Sequence, residues 1–276
     1  SSNIANANGL SIFFPYGASK SMTTAALSTY DKIGLDDSYS DCIKSFASVT
    51  AGGKRLRPVF GLMACNMFSD SVDEAVKPSV GMEIFHNFTL LHDDIMDNSM
   101  LRRKQPTVNA KWGNNVAILS GDGMTYIATK YVMASPAWAR GQVMDIYLKT
   151  AIEVCEGQQL DMDFEQSSDV SLSDYLRMIT LKTAVLPAAC LKIGAIIGGA
   201  SEQQAQMLYD AGIKFGIAFQ IQDDYLDMYS TPEVLGKPIG GDVNEFIPDR
   251  QAEGYGMSEQ SIARMLKENP GVGLVV

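Results

Sequence analysis

The stretch from Ala75 to Asp97 reads AVKPSVGMEIFHNFTLLHDDIMD and ends in a cluster of aspartates. Apolar residues recur along it at intervals of three and four, which is the spacing of an α-helix rather than a strand. They cover one face and extend onto others, at Val76, Val80, Ile84, Phe88, Leu91 and Ile95 and at Met82, Phe85 and Leu90. Because a helix that is apolar nearly all round is typically buried, the stretch predicts a core helix of an all-α protein.

Four more segments show the same spacing, and they cover residues 116–133, 142–164, 174–197 and 202–229. Ser173 and Ser201 precede two of these segments and are predicted N-caps. Glycine and proline separate the segments, and alternation with period two is rare. The sequence therefore predicts one large helical bundle, a single domain over residues 1–276 with weaker periodicity in residues 1–40 and 244–276.

Charge and composition exclude several classes of protein. The 276 residues carry a formal net charge of −10 and only 22 lysines and arginines, which disfavours binding to nucleic acid. The four cysteines are far apart and include no C-x-x-C pair, which is typical of reduced thiols in a cytoplasmic protein. The apolar run from Ala184 to Ala200 is interrupted by Pro187 and Lys192, and it falls short of the ~20 residues of a membrane span. We expect a cytoplasmic protein without membrane insertion.

Two similar acidic clusters carry the strongest functional signal. Residues 92–97 read HDDIMD, and residues 222–227 read QDDYLD. On a helix, positions i, i+1 and i+4 fall within about 100° of arc, so each cluster directs its carboxylates from one face. Magnesium suits such carboxylates, because it prefers hard oxygen ligands and commonly bridges them to substrate phosphates. The alternative is a pair of solvated acidic helix ends.

Two basic segments accompany the acidic clusters. Residues 52–58 read GGKRLRP, which places Lys54, Arg55 and Arg57 beside a glycine turn at the predicted start of a helix. Residues 102–104 read RRK and follow the first acidic cluster. Forked arginine donors and backbone amides at a helix start suit a diphosphate. Together the clusters predict two anion sites, one bridged by magnesium and one held directly by cations.

In this order the motifs resemble those of the trans-prenyl diphosphate synthases, the polyprenyl synthetase family, from about Gly52 to Asp242. The stretch from Phe85 to Asp97 is especially similar to bacterial members. The resemblance implies an all-α isoprenoid-synthase bundle around a central active-site cavity. It also implies a transferase that condenses isopentenyl diphosphate with dimethylallyl, geranyl or farnesyl diphosphate, holds about three Mg²⁺ ions and forms a homodimer.

The resemblance also assigns roles to individual residues. The metal ligands it implies are Asp93 and Asp97, supported by Asp94, together with Asp223, Asp224 and Asp227. Gln158 and Asp161 match a polar pair beside the metals. The implied contacts to isopentenyl diphosphate are Lys54, Arg57, His86 and Arg103. The implied contacts to the allylic diphosphate are Arg102, Lys182, Thr183, Gln220 and Lys237. Within this set the catalytic groups are Asp93, Asp94, Asp97, Arg102, Lys182, Gln220, Asp223 and Lys237.

Product length depends on side chains below the first acidic cluster. Thr89 and Phe88 lie four and five residues before Asp93, and Phe85 lies about one further turn down. A phenylalanine at that depth predicts a floor for the growing chain and a product of about fifteen to twenty carbons. The alternative is that Phe88 simply packs against a neighbouring helix.

The sequence departs from the family pattern in two places. Lys104 replaces the usual glycine after the arginine pair, and the lysine expected after Asp242 is absent, with Arg250 the nearest cation. Two rival functions are a class I terpene synthase, which needs one diphosphate site, and a non-catalytic partner subunit that binds prenyl diphosphates. The basic segment at residues 52–58 disfavours the first rival, and the intact motifs disfavour the second.

Overall fold

The computed structural model describes residues 55–103, 105–167 and 169–229, with side chains as far as Tyr225. Predictions for Lys54, Lys104, Lys237, the Asp227 side chain and both chain ends lie outside the described residues. The described part is almost entirely helical, which confirms the predicted fold class. Its helices are α1 (Leu56–Asn66), α2 (Asp73–Met96), α3 (Val108–Trp112), α4 (Asn114–Val132), α5 (Arg140–Glu165), α6 (Leu172–Ile179), α7 (Val185–Gly198) and α8 (Glu202–Tyr229).

Helix α2 is the core helix that its apolar pattern predicts. Met82, Phe85 and Leu91 are almost fully buried, although they lie on different faces. The helix packs most extensively against α4 and also contacts α1 and α7. It therefore carries its aspartates to the end of a rigid, enclosed element.

The predicted helix 174–197 is one continuous helical segment with a change of pitch inside it. Helix α6 passes through a π-helical turn, Thr180–Ala184, into α7. The whole segment Leu172–Gly198 is long and apolar enough to cross a membrane, but 67% of its apolar window is buried inside the protein. The short apolar run seen in the sequence is therefore part of a longer helical segment, whose burial is typical of a core helix, packed between α1 and α8.

The N-caps of the last helices were partly predicted. Ser201 caps α8, since its Oγ accepts a hydrogen bond from the Gln204 amide at 3.3 Å. The prediction of Ser173 was wrong, because Ser171 caps α6. Ser171 and Asp174 form a reciprocal capping box in which each side chain bonds the other's backbone amide.

A short hairpin follows α2. Strands β1 (Leu101–Arg102) and β2 (Gln105–Pro106) are antiparallel, with Arg102 opposite Gln105. Arg103, at the turn, has a φ of 50°, in the left-handed region that non-glycine residues seldom occupy. The hairpin places both arginines beside the end of α2.

Candidate active site

Asp93 projects from the last turn of α2 into a charged centre. Burial, with the neighbouring carboxylates Asp97 and Asp161, raises the pKa of Asp93 to about 6, and Lys182 and Arg102 oppose this rise. These groups come from α2, α5, the π-helical turn and the hairpin. The structure therefore brings Asp93, Asp97, Asp161 and Lys182 together, and their predicted roles toward metal and substrate stay predictions.

Asp94 faces a different partner from its neighbour Asp93. Its carboxylate is 1% exposed, and Oδ1 accepts a hydrogen bond from Arg102 Nε at 2.7 Å. Burial raises the pKa of Asp94, and Arg102 opposes the rise. Asn109 Nδ2 donates to the carbonyl oxygens of Asp94 and Ser99 at 3.2 Å, which fixes the chain on both sides of the turn. Asp94 thus holds Arg102 in place in this structure, and its supporting role toward a metal stays a prediction.

A chain of hydrogen bonds links the second acidic cluster to the π-helical turn. Thr183 Oγ1 donates to Gln220 Oε1 at 2.8 Å, and Gln220 Nε2 donates to Asp224 Oδ1 at 2.8 Å. The Tyr175 hydroxyl donates to Asp224 Oδ2. Lys182, next to Thr183, donates to Asp161 Oδ2. The turn therefore lies between the two acidic clusters and contacts groups associated with each.

Tyr175 is a site residue that the sequence reasoning missed. Burial and the Asp224 carboxylate raise the pKa of Tyr175, so its hydroxyl stays a hydrogen-bond donor. Its position seven residues before Lys182, two helical turns away, was the available signal. Asp223 is exposed near the end of α8, and Gln158 is partly buried on α5.

The basic residues form a second centre around His86. Burial lowers the pKa of His86 well below its usual value, and Arg57, Arg103, Arg102 and Arg55 add to this effect in that order. Arg57 Nε is buried without a hydrogen-bond partner among the described residues. Arginines from the start of α1 and from the hairpin therefore surround one imidazole on α2, as expected of a direct anion site.

Glu83 lies in the same centre and was not predicted. Its Oε1 accepts a hydrogen bond from Arg55 Nη1 at 2.9 Å, and both side chains are 13% exposed. The signal was its position three residues before His86, which places both on one helical face. A carboxylate among these arginines compensates part of their mutual repulsion.

The residues predicted to limit product length form an aromatic cluster. The Phe85 ring contacts Tyr147 edge-on at 5.6 Å between centroids and is 2% exposed, so it belongs to the core. Phe88 is partly buried and contacts Phe85 at 5.5 Å and His92 at 4.7 Å. Thr89 Oγ1 donates to the His86 carbonyl at 2.8 Å. Of the two phenylalanines, only Phe88 keeps an accessible ring surface.

Magnesium fits the acidic centre through the chemistry of its donors. Among the described residues no three His, Cys, Asp or Glu side chains are already arranged around a metal position. Magnesium does not need such a cage, since it keeps several waters and commonly uses one or two carboxylates with substrate phosphates. The buried carboxylate of Asp93 and its acidic neighbours are hard ligands whose repulsion a cation would relieve.

Comparison with known proteins agrees with this arrangement. The polyprenyl synthetase family profile matches residues 41–248, and the chain belongs to this family. The geranylgeranyl diphosphate synthase of Methanosarcina mazei is 46% identical over 200 residues, which cover 71% of this chain and 61% of the relative. The chain thus spans about three fifths of the length of the curated relatives it matches first.

Solved structures share the fold. Geranylgeranyl pyrophosphate synthetase from the archaeon Geoglobus acetivorans has a TM-score of 0.71 and 31% identity, covering 92% of this chain and 85% of its own. The similarity is therefore not confined to bacterial members. Polyprenyl synthase from Caulobacter crescentus, complexed with calcium and isoprenyl diphosphate, has a TM-score of 0.75 and 29% identity, covering 83% and 68%.

Proposed function

We propose that this chain condenses isopentenyl diphosphate with an allylic diphosphate to give a short-chain prenyl diphosphate and free diphosphate. The observation that supports the proposal is a pair of charged centres along one face of α2, each suited to an anion. His86 and its arginines mark one site, and Asp93 with Lys182 marks the other. Asp93 lies seven residues after His86, about 10 Å along the helix at 1.5 Å per residue, which suits two diphosphates with their reacting carbons between them.

The acidic centre takes the allylic diphosphate. Asp93, Asp97, Asp161, Asp223, Asp224 and Asp227 would hold about three magnesium ions, which neutralise the leaving diphosphate when bound. Arg102, oriented by Asp94, and Lys182 add fixed positive charge where the departing oxygens gain negative charge. The Thr183–Gln220 hydrogen bond keeps the Gln220 side chain beside this charge.

The arginine centre takes isopentenyl diphosphate. Arg57 and Arg103 supply donors, joined by Lys54, and His86 is neutral at pH 7 because its pKa is lowered. A neutral imidazole offers one donor without adding to the repulsion among the arginines.

The reaction breaks the C1–O bond of the allylic substrate and a C2–H bond of isopentenyl diphosphate, and it forms a carbon–carbon bond and a new double bond in the added unit. The C1–O bond of the allylic substrate breaks, and its electron pair leaves with the diphosphate. The double bond of isopentenyl diphosphate attacks C1, a proton leaves its C2, and the released diphosphate accepts that proton. The apolar neighbours on α2 exclude the water that would otherwise capture the allylic cation.

We propose a product of about fifteen to twenty carbons, limited by Phe88 on α2.

We also propose a cytoplasmic homodimer. Leu119 and Tyr126 on α4 and Met133 at its C-cap are spaced by seven residues and are all exposed, as are Leu148 and Ile152 on α5. Apolar side chains repeated along one helical face in this way are typical of an interface between subunits.

One assay separates this function from its rivals. The purified chain is incubated with magnesium, isopentenyl diphosphate and each allylic primer, and the products are separated by chromatography. A linear prenyl diphosphate that forms only when both substrates are present supports the proposal. Hydrocarbons formed from the allylic substrate alone would instead indicate a terpene synthase. Binding of both substrates without turnover would indicate a partner subunit.

A further inference from the structure

Glu83 is the acidic member of the arginine centre. Its Oε1 lies 2.9 Å from Arg55 Nη1, and its charge also acts on Arg57 and Arg103. Its Oε2 and Arg57 Nε are both buried without a hydrogen-bond partner among the described residues. The Glu83 carboxylate therefore interacts with three arginines, although among the described residues only its Oε1 accepts a hydrogen bond.

Arg55, which donates the hydrogen bond to Glu83, has an unusual backbone conformation. Its φ is 53° and its ψ is 37°, a left-handed conformation directly before Leu56, the first residue of α1. Such a conformation costs a non-glycine residue on the order of 1 kcal/mol and persists where surrounding contacts enforce it. Among the described residues no side-chain cap bonds the start of α1, and the Glu83 contact ties the Arg55 side chain to α2.

Arg57 lies close to this turn. Arg57 is the second residue of α1, so it lies only two residues after Arg55 at the same end of the helix. Arg103 reaches the same centre from the hairpin, where its own φ also lies in the left-handed region. A negative charge between these side chains lowers the repulsion that would otherwise spread them apart before a substrate arrives.

We propose that Glu83 is a positioning residue for isopentenyl diphosphate, acting through Arg55 to hold Arg57 and Arg103 ready for its diphosphate. The proposal rests on the function proposed above, and it assigns Arg55 to the support of the site rather than to the substrate. Glu83 itself contacts no reacting atom.

Glu83→Asp is the cleanest test, because it retains the charge and withdraws the carboxylate by about 1.5 Å, one carbon–carbon bond. Loss of a charge-assisted hydrogen bond then predicts a rise of about tenfold in KM for isopentenyl diphosphate. The KM for the allylic substrate and kcat should stay within about twofold. The matched control is Glu74→Asp, an exposed glutamate in the first turn of the same helix, which should leave every parameter unchanged.

A double-mutant cycle with Arg55→Gln shows whether Glu83 acts through Arg55. If it does, Glu83→Asp adds little to the KM of the Arg55→Gln variant. Additive effects, equal changes in both KM values, or a lower Tm with unchanged KM would each overturn the proposal. Calorimetric binding of isopentenyl diphosphate gives the same comparison without turnover, so an inactive wild-type chain would refute the enzymatic function and still leave Glu83 testable.

Discussion

At the scale of single residues, Asp93 and Asp94 show how one helical step separates two roles. The step rotates the side chain by about 100°, so Asp93 joins the acidic centre while Asp94 turns inward to Arg102. A D-D pair at the end of a helix thus supplies one carboxylate to the acidic centre and one support for Arg102. The sequence alone gives both residues the same chemistry.

Asp93→Ala should reduce turnover by at least about a thousandfold, because it removes a carboxylate that would hold magnesium against the leaving diphosphate. Asp223→Ala should do the same from the other acidic cluster. Helical circular dichroism should be unchanged in both variants, and Asp122→Ala, at an exposed position on α4, serves as the control. Near-normal kcat in either cluster variant would refute a site shared by the two clusters.

His86 should make stability depend on pH. Its folded-state pKa is lowered, chiefly by burial and then by Arg57. The unfolded chain therefore binds a proton more readily, and stability is lost as pH falls below about 6.5, the unfolded value. Urea unfolding of the metal-free protein at pH 7 and pH 5 should show a greater loss for wild type than for His86→Gln.

Comparing wild type with His86→Gln isolates the contribution of the imidazole to the pH dependence of stability. Asp93, whose pKa is raised to about 6, contributes the opposite trend but is present in both. An equal loss of stability in wild type and variant would mean that His86 is protonated equally easily in the folded and unfolded states.

At the scale of elements, the π-helical turn is held by close backbone packing. A Cβ on Gly157 of α5 would lie 2.2 Å from the Lys182 amide nitrogen, and one on Gly216 of α8 would lie 2.4 Å from Ala184 Cα. Only glycine lets both helices approach the turn so closely. The contact positions Lys182 and Thr183 between the acidic clusters.

Gly157→Ala should therefore push the turn away from α5. We expect a loss of about 1–3 kcal/mol in the free energy of unfolding from overpacking. The KM for the allylic substrate should rise more than that for isopentenyl diphosphate, because Lys182 moves. Gly141→Ala on the same helix, where a Cβ meets nothing within 4 Å, should instead be neutral or stabilising. Similar behaviour of the two variants would argue against a clamped turn.

The aromatic cluster should control product length. Phe88→Ala should lengthen the products by removing the ring proposed as the floor. Gly121→Ala should shorten them, since its Cβ would lie 2.2 Å from His92 Nε2 and drive that ring toward Phe88. Chromatography of the chain lengths tests both variants. Unchanged products in Phe88→Ala would locate the floor elsewhere, with Phe85 the next candidate.

Sequence patterns predicted the long helices closely and the breaks between them poorly. The predicted segment 116–133 corresponds to α4 at 114–132, and 202–229 matches α8. The π-helical turn was missed, because the apolar spacing is the same on either side and the cause lies in glycines on other helices. The hairpin was missed because each of its strands has only two residues.

In the candidate site, too, some residues were predicted from the sequence and others were missed. Charged motifs such as residues 92–97 can be recognised from the sequence alone. The structure brings most of their described members together. Glu83 and Tyr175 were missed, since each acts through a partner distant in sequence, Arg55 and Asp224. Local spacing cannot supply such a pairing, which arises only when separate helices pack.

At the scale of the whole molecule, the apolar face of α4 and α5 predicts association. The side chain of Tyr126 is 76% exposed, and it lies midway along the row formed by Leu119, Tyr126 and Met133. Tyr126→Glu would place a charge in the proposed interface. We expect light scattering after gel filtration to give a dimer for wild type and a monomer for the variant. Lys214→Glu, a charge reversal at an exposed position on α8, should remain dimeric.

The hairpin connects the two proposed substrate sites. Adjacent residues at its turn serve different centres, since Arg102 joins Asp94 near the acidic centre and Arg103 acts on His86. A substrate that shifts one arginine therefore perturbs the other through a single peptide unit. The two occupancies are then coupled, and thermodynamic linkage makes the coupling reciprocal: by whatever factor a bound allylic diphosphate changes the affinity for isopentenyl diphosphate, the reverse effect must equal it. The size of that coupling would then be a property of this short turn.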